Sequence, residues 1–347
     1  MDIINASSRK RETYHVHLKY SPLWECALGI AAITNTPLLN TLEKPLGYWS
    51  TIRQTVTEGL NEQLVYVENH NTWKALLQIL HTNDFTSLQA FTNYVEECEE
   101  LALRMTCLPF VGMNYQDLRK KAAEQDAGAI NELKKMTKDN SFFPAYIEFI
   151  SKVDIYELKR HITDVMQQWY ESVIMSNEKQ LIKILENDFH TKIKMRNEMS
   201  SEEFVEWATG GISYVPEPSV HNVLLIPQYI YRPWNIEADL EGTKVYYYPV
   251  ANESISPDDK YTPSNFLIEK CKSIGDEARL KIIKLLYEQD RTLQEITNEL
   301  DLGKSTIHHH LKLLRGAKLV EISNSKYALK KKSIESLQKE LDFYLKK

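Results

Sequence analysis

Ser305, Thr306, His308, His309 and Lys312 occupy a short segment in which Ile307, Leu311 and Leu314 recur at i, i+4 and i+7. At ~100° per residue of a helix the three apolar residues form one stripe, and the polar residues gather on the opposite face, with Thr306 on its flank. That face offers hydroxyls, imidazoles and an ammonium group on the side the core does not use. Such groups suit the base edges and phosphates of a nucleic acid. The surrounding charge agrees: residues 303–332 carry Lys304, Lys312, Arg315, Lys318, Lys326, Lys330, Lys331 and Lys332 against one acid, Glu321. The net charge of the whole chain, -6, conceals this local excess. Residues 264–347 hold 17 basic and 12 acidic side chains, whereas residues 1–263 hold 25 and 36. A basic surface attracts phosphates even when the rest of the protein is acidic.

Other chemistries find less support. Consecutive helix positions diverge by ~100°, so His308, His309 and His310 do not converge on one ion, and His310 falls at the core edge. His15 and His17 share one face of a strand, but no third ligand is identifiable, and they read as an exposed pair. Cys26, Cys98, Cys107 and Cys271 are scattered without a Cys-x-x-Cys pair, which argues against a disulfide framework and a thiolate zinc site. Gly210-Gly211 has no Lys-Ser/Thr after it and reads as a turn, not as a phosphate loop. No Gly-x-Ser-x-Gly or His-Glu-x-x-His occurs. No catalytic residue, metal site or cofactor is expected, and an enzyme is disfavoured.

The elements that must position the polar face are legible around it. Asp276 stands as an N-cap before a helix with Leu280, Ile283, Leu286 and Tyr287 as its apolar positions. Leu293, Ile296 and Leu300 mark a second short helix, and Asp301-Leu302-Gly303 is a tight turn with a glycine available for positive φ. Ser305 opens the third. Two short helices joined by such a turn have the organisation of a helix-turn-helix that inserts its second helix in the major groove. Leu319 to Ile322 and Lys326 to Leu329 flank Ser323-Asn324-Ser325, so a β-hairpin follows, with Asn324 at its tip and Lys326 beside it, placed to act as a wing on phosphates or a minor groove. A closing helix spans Ile334 to Tyr344.

The remaining residues set the frame. The chain has 347 residues, 43% hydrophobic and 26% charged, enough to bury a core in two or three domains. The longest uncharged stretch, Cys26 to Leu42, is interrupted by Asn35, Pro37 and Asn40, so no membrane span is expected. Met1 to Glu12 is polar and lacks an apolar run after Arg9-Lys10-Arg11, so a cytoplasmic protein is expected. Tyr14 to Tyr20 alternates as a strand. Amphipathic helices are then predicted over Leu23–Thr34, Thr72–Leu80, Asn83–Met105, Tyr115–Gln125, Ala127–Lys138, Phe142–Ile150 and a long tract, Ile155–Met195, breakable at Ser176-Asn177. Ile212–Val215, Val220–Pro227, Gln228–Tyr231 and Lys244–Val250 read as a small antiparallel sheet or hairpins. The polar stretch 251–263 reads as a linker between a mainly helical domain, 1–250, and a winged helix-turn-helix of α+β type, 264–347. The fold class is thus mainly α. Nineteen tyrosines and six tryptophans supply either core packing or an apolar pocket for an effector.

Residues about 264–332 resemble the ArsR-type winged helix-turn-helix of bacterial transcriptional regulators. The matching stretches are Ile274 to Ile283, Leu293 to Leu302, and Lys304-Ser305-Thr306-Ile307-His308-His309-His310-Leu311-Lys312-Leu313-Leu314-Arg315 running to Lys318-Leu319-Val320. The resemblance implies base and phosphate contacts from Ser305, Thr306, His308, His309 and Lys312. Members that sense metals use cysteines on the helix before the recognition helix, or histidines and acids on the last helix. Leu293 to Leu300 has no Cys and Ile334 to Leu345 has no His, so metal sensing at those places is not implied. Residues about 14–250 are similar to the N-terminal extension of some longer regulators, through Ser21-Pro22-Leu23-Trp24-Glu25 and His221 to Pro227.

The expectation is a DNA-binding transcriptional regulator, by family habit a repressor, acting as a homodimer on double-stranded DNA. Lys304, Lys312, Arg315, Lys326 and Lys330 to Lys332 would meet phosphates, and Ser305, Thr306, His308, His309 and Asn324 would approach bases or the groove. Residues 1–250 would sense a small-molecule effector or a protein partner, or dimerise. The alternative is an enzyme or small-molecule-binding protein whose winged helix contacts protein.

Overall fold

The computed structural model describes residues 13–259, 261–323 and 325–346. They group into two compact units, each assembled from separate stretches. The larger holds residues 17–189 and 217–250; the smaller holds 13–16, 190–216 and 251–346. This grouping differs from a boundary at 251–263, because residues 190–216 pack with the C-terminal stretch although 34 residues separate them from it. Nor is 251–263 empty: it contains the short helix Asn252–Ile255, with Ser254 buried. Among the described residues no helix is long and apolar enough to cross a membrane.

The larger unit is mainly helical. Its central helix, Pro22–Ile33, begins as the sequence dictates, with Ser21 Oγ accepting the Leu23 amide at 3.2 Å and proline in the first turn. Leu23 to Ile33 are all buried, Glu25 included, so this helix is covered on every side and sits inside the unit. Gly29 is required there: a Cβ would stand 2.8 Å from the buried Trp169 ring. Trp169 ends the helix Ile155–Trp169, which also buries Leu158, Ile162, Val165 and Met166. A π-helical turn, Tyr170–Ile174, and a 3₁₀ turn, Met175–Asn177, then interrupt the tract before Glu178–Met195.

Three features depart from the sequence reading. The helix expected over Asn83–Met105 is two, Leu88–Glu97 and Glu100–Cys107, because Cys98 and Glu99 are both extended. Apolar spacing resumes after this break and so does not record it. Helices also form over Leu46–Thr55, Glu58–His70 and Ser201–Ala208. Finally, the sheet is mixed and not purely antiparallel. Strands β1 (His15–Leu18), β2 (Asn222–Gln228), β3 (Ile236–Leu240) and β4 (Thr243–Pro249) lie in the order β1-β2-β4-β3. The hairpin of β3 and β4 turns through Gly242 at φ +66, and β4 enters beside β2, parallel to it, with Leu225 opposite Tyr246. From Val223 and Val245 onward both strands are buried at every residue, the near-continuous apolar run typical of a parallel pair covered on both faces. Ile212–Val215 form no strand.

In the smaller unit, Ser200 and Glu203 make a reciprocal capping box for Ser201–Ala208, which ends in Gly210-Gly211 at φ +70 and +117. The C-terminal part runs Asn265–Ile274, Glu277–Glu288, Leu293–Leu300, Lys304–Gly316, β5 (Val320–Ser323), β6 (Lys326–Leu329) and Lys331–Leu345. Its core joins Ile282 and Leu286 to Ile296, Ile307, Leu311, Leu314, Leu319 and Val320. The order of helices and hairpin is that of a winged helix.

Candidate nucleic-acid interface

Local chemistry sets each element of the interface. Asp276 Oδ1 accepts the Arg279 amide at 2.9 Å and starts the Glu277–Glu288 helix. Its carboxyl is held below the ordinary range, first by that backbone hydrogen bond. Thr292 and Glu295 form a second capping box at the start of Leu293–Leu300. In the turn that follows, the left-handed residue is Asp301, at φ +49, and not the glycine. A short polar side chain tolerates that region, and Gly303 instead takes an extended conformation, φ -58, as the N-cap of the next helix. Gly303 has no side chain to cap the first amides of Lys304–Gly316, which leaves them for an external acceptor such as a phosphate oxygen.

That third helix divides cleanly. Ile307, Leu311 and Leu314 are each 0% exposed, whereas Lys304, Ser305, Thr306, His308, His309, Lys312 and Arg315 are all exposed. Burial of the stripe fixes the rotation of the helix and thereby aims the polar face outward. No hydrogen bond or ion pair engages the side chains of these seven residues among the described contacts. The histidines diverge as helical geometry requires: His308 and His309 face solvent, while His310 is nearly buried, with its Nδ1 3.9 Å from Asp276 Oδ1.

The hairpin pairs Val320 with Leu329, Ile322 with Tyr327 and Ser323 with Lys326. Arg291 adds a third-strand bridge, exchanging backbone hydrogen bonds with Tyr327 at 3.0 and 2.8 Å. Its guanidinium lies 3.4 Å from Glu299 and 3.8 Å from Glu288, so one residue ties the hairpin to both preceding helices. Nothing in the local sequence pattern marks Arg291 for that task, since Tyr327 and Glu299 are reached only by folding. Lys326 is exposed on β6. Asn324 lies outside the described residues.

The basic excess is only partly available. Lys304, Lys312, Arg315, Lys326, Lys331 and Lys332 are exposed, with the Lys331 ammonium 4.8 Å from the Tyr287 ring centroid. Lys330 is different, which corrects its assignment to phosphates. Its side chain is 8% exposed, lies 3.1 Å from Glu206 and donates to the Gly211 carbonyl at 2.5 Å. Lys318 is half-buried at φ +58, and burial, followed by Lys330 and Arg315, pushes its ammonium below the ordinary range.

The arrangement can therefore present one polar helix face, an uncapped helix start and a hairpin to a polyanion. No group of three or more His, Cys, Asp or Glu placed to hold a metal ion occurs among the described residues. Residues 276–321 match the family model described as bacterial regulatory protein, arsR family, a stretch that runs from the Asp276 cap into β5. No curated protein and no solved structure matches the chain.

Proposed function

With an ArsR-family helix-turn-helix at residues 276–321 as the premise, we propose that the protein is a sequence-specific, cytoplasmic transcriptional repressor, without catalytic activity, controlled through the residues that precede its winged helix. The observation that carries this reading is the outward surface of Lys304–Gly316, where seven polar or cationic side chains stand exposed around a fully buried apolar stripe. Lys304, Lys312, Arg315 and Lys326 neutralise phosphates, and Ser305, Thr306, His308 and His309 meet base edges. One recognition helix reads few base pairs, so two copies act together on a two-fold-related site. An effector changes the relation of the two recognition helices by binding one arrangement more tightly than the other.

The test is to capture fragmented DNA from the source genome with the purified full-length protein at moderate salt and to sequence what is retained. A few sites sharing an inverted repeat are expected. Retention of unselected fragments, or of none by folded protein, would overturn the reading. DNA retention that does not respond to salt would also count against it, since phosphate contacts release counterions.

A further inference from the structure

The smaller unit contains a cavity of about 110 Å³ lined by several separate stretches of chain. They include Glu206, Trp207 and Gly210-Gly211, Glu253 of the short 252–255 helix, Phe266 and Lys270 of the first winged-helix helix, and Ser333, Glu340 and Phe343 of the closing helix. A cavity of roughly 150 Å³ holds a benzene ring, so this one takes an organic group of about five heavy atoms. Its walls combine four aromatic rings with polar and charged side chains, and its buried polar atoms are not fully satisfied. Ser333 is 2% exposed and its Oγ has no hydrogen-bond partner. Oε2 of Glu340 and Oε2 of Glu253, which also lines the cavity, are buried without a partner as well. The other Glu340 oxygen is occupied, accepting from Lys270 at 2.6 Å and Ser336 at 2.8 Å.

Unmet buried acceptors are unfavourable and uncommon, and three such groups around one cavity call for a guest rich in donors. The cavity's own cations do not fill that need. Lys270 is committed to Glu340, Lys192 stands 4.1 Å over the Trp207 ring, and Lys332 and Lys339 are exposed. We propose that this cavity binds a small primary amine, its ammonium donating to Glu253, Glu340 and Ser333 while its apolar part lies against Trp207 and Phe266. Its consequence for DNA rests on the regulator reading above. Glu206 lines the cavity and pairs with Lys330 at the end of the wing, so a guest beside Glu206 alters the grip on the wing.

The experiment titrates the full-length protein with isobutylamine, isobutanol and isobutyrate at pH 7, followed by saturation-transfer NMR, with DNA retention read on the same samples. Saturable binding of the amine is expected, with the alcohol and the acid weaker by about tenfold or more. Glu253→Gln and Ser333→Ala should each weaken the amine by about fivefold or more, and because neither group has a protein partner both variants should keep the unliganded melting temperature. Absence of saturable amine binding, equal binding of all three compounds, or indifference to both variants overturns the proposal. Failed amine binding with intact DNA retention sinks this inference alone, whereas amine binding without DNA retention sinks the regulator reading alone.

Discussion

Glu206 and Lys330 form an ion pair at 3.1 Å with only 12% and 8% of their side chains exposed. It fastens the helix Ser201–Ala208 to the chain that leaves the wing. The turn after that helix is equally close: a Cβ on Gly211 would stand 2.3 Å from Lys318 Cβ, and one on Gly210 would meet the Phe266 ring at 2.0 Å. Removing one partner of a buried pair strands the other charge, so Glu206→Ala should destabilise the smaller unit by about 3 kcal/mol. Lys330→Met strands the Glu206 carboxylate in the same way and should cost a comparable amount. Denaturant melts of both variants and of the double variant test the pair: a double loss smaller than the sum of the single losses is expected, and additive losses would contradict the pairing.

The same contact predicts which lysines matter for DNA. Lys312→Ala should weaken binding to all sequences and lower the slope of log affinity against log salt by about one. Lys330→Met should leave that slope unchanged, because its ammonium already has partners. Ser305→Ala should relax sequence preference at one position with less effect on non-specific affinity. Titrations at several salt concentrations with specific and scrambled duplexes separate the three outcomes.

The recognition stripe is the strongest test of how the helix is aimed. Leu311→Ala should lower stability by about 2–5 kcal/mol, because Leu311 is wholly buried in the winged-helix core. A conservative Ile307→Val should cost about 1 kcal/mol and retain DNA binding. Circular dichroism melts and DNA titrations on the two variants measure these effects, and a tolerated Leu311→Ala would remove the reason for the outward face.

What the sequence makes legible here is whatever one element decides alone. Ile307, Leu311 and Leu314 announce their burial through spacing, and Asp276 and Ser21 announce helix starts through side chains that cap nearby amides. The helix Glu58–His70 was equally readable, with Thr57 as its cap and Leu60, Leu64 and Val67 at i, i+4 and i+7. Lys330 was not, since its partner lies 124 residues earlier and nothing local distinguishes a paired lysine from a solvated one. The cavity is hidden for the same reason, its walls coming from separate stretches of chain. Strand order is hidden too: alternation and burial look the same for Leu224 and Val245 whether their strands run parallel or antiparallel, and only the path through β3 makes them parallel.

Asp301 adds a case in which composition misdirects. The turn contains a glycine, yet the left-handed residue is the aspartate two positions before it. Asp301→Gly should therefore raise stability or leave it unchanged, within about 1 kcal/mol, and Asp301→Val should lower it by about 1–2 kcal/mol. Gly303→Ala should be tolerated, since its φ of -58 suits any residue and a Cβ would find Thr306 Oγ1 no nearer than 3.7 Å. Thermal melts of the three variants test the assignment, which fails if Gly303→Ala is the most damaging.

Glu25 gives the larger unit a pH dependence of its own. It is 2% exposed on the central helix and accepts from the amides of Tyr229 and Ile230, the latter at 2.9 Å. Burial pushes its carboxyl up to about 7, against the opposing pull of those two amides and of Lys44. In the unfolded chain the same carboxyl titrates near 4.3. Between these values the folded protein holds a proton that the unfolded chain has released, so this group's contribution to stability falls as pH rises from about 4.3 to about 7 and is level beyond. The drop is on the order of 3 kcal/mol. Glu25→Gln removes the titration and one acceptor, so its stability at pH 5 should lie below that of the natural chain by a margin that shrinks as pH rises through that window. Denaturant unfolding at half-unit steps from pH 4.5 to 8 measures both curves, and a natural chain whose difference from Glu25→Gln does not change with pH would show that Glu25 is ionised throughout.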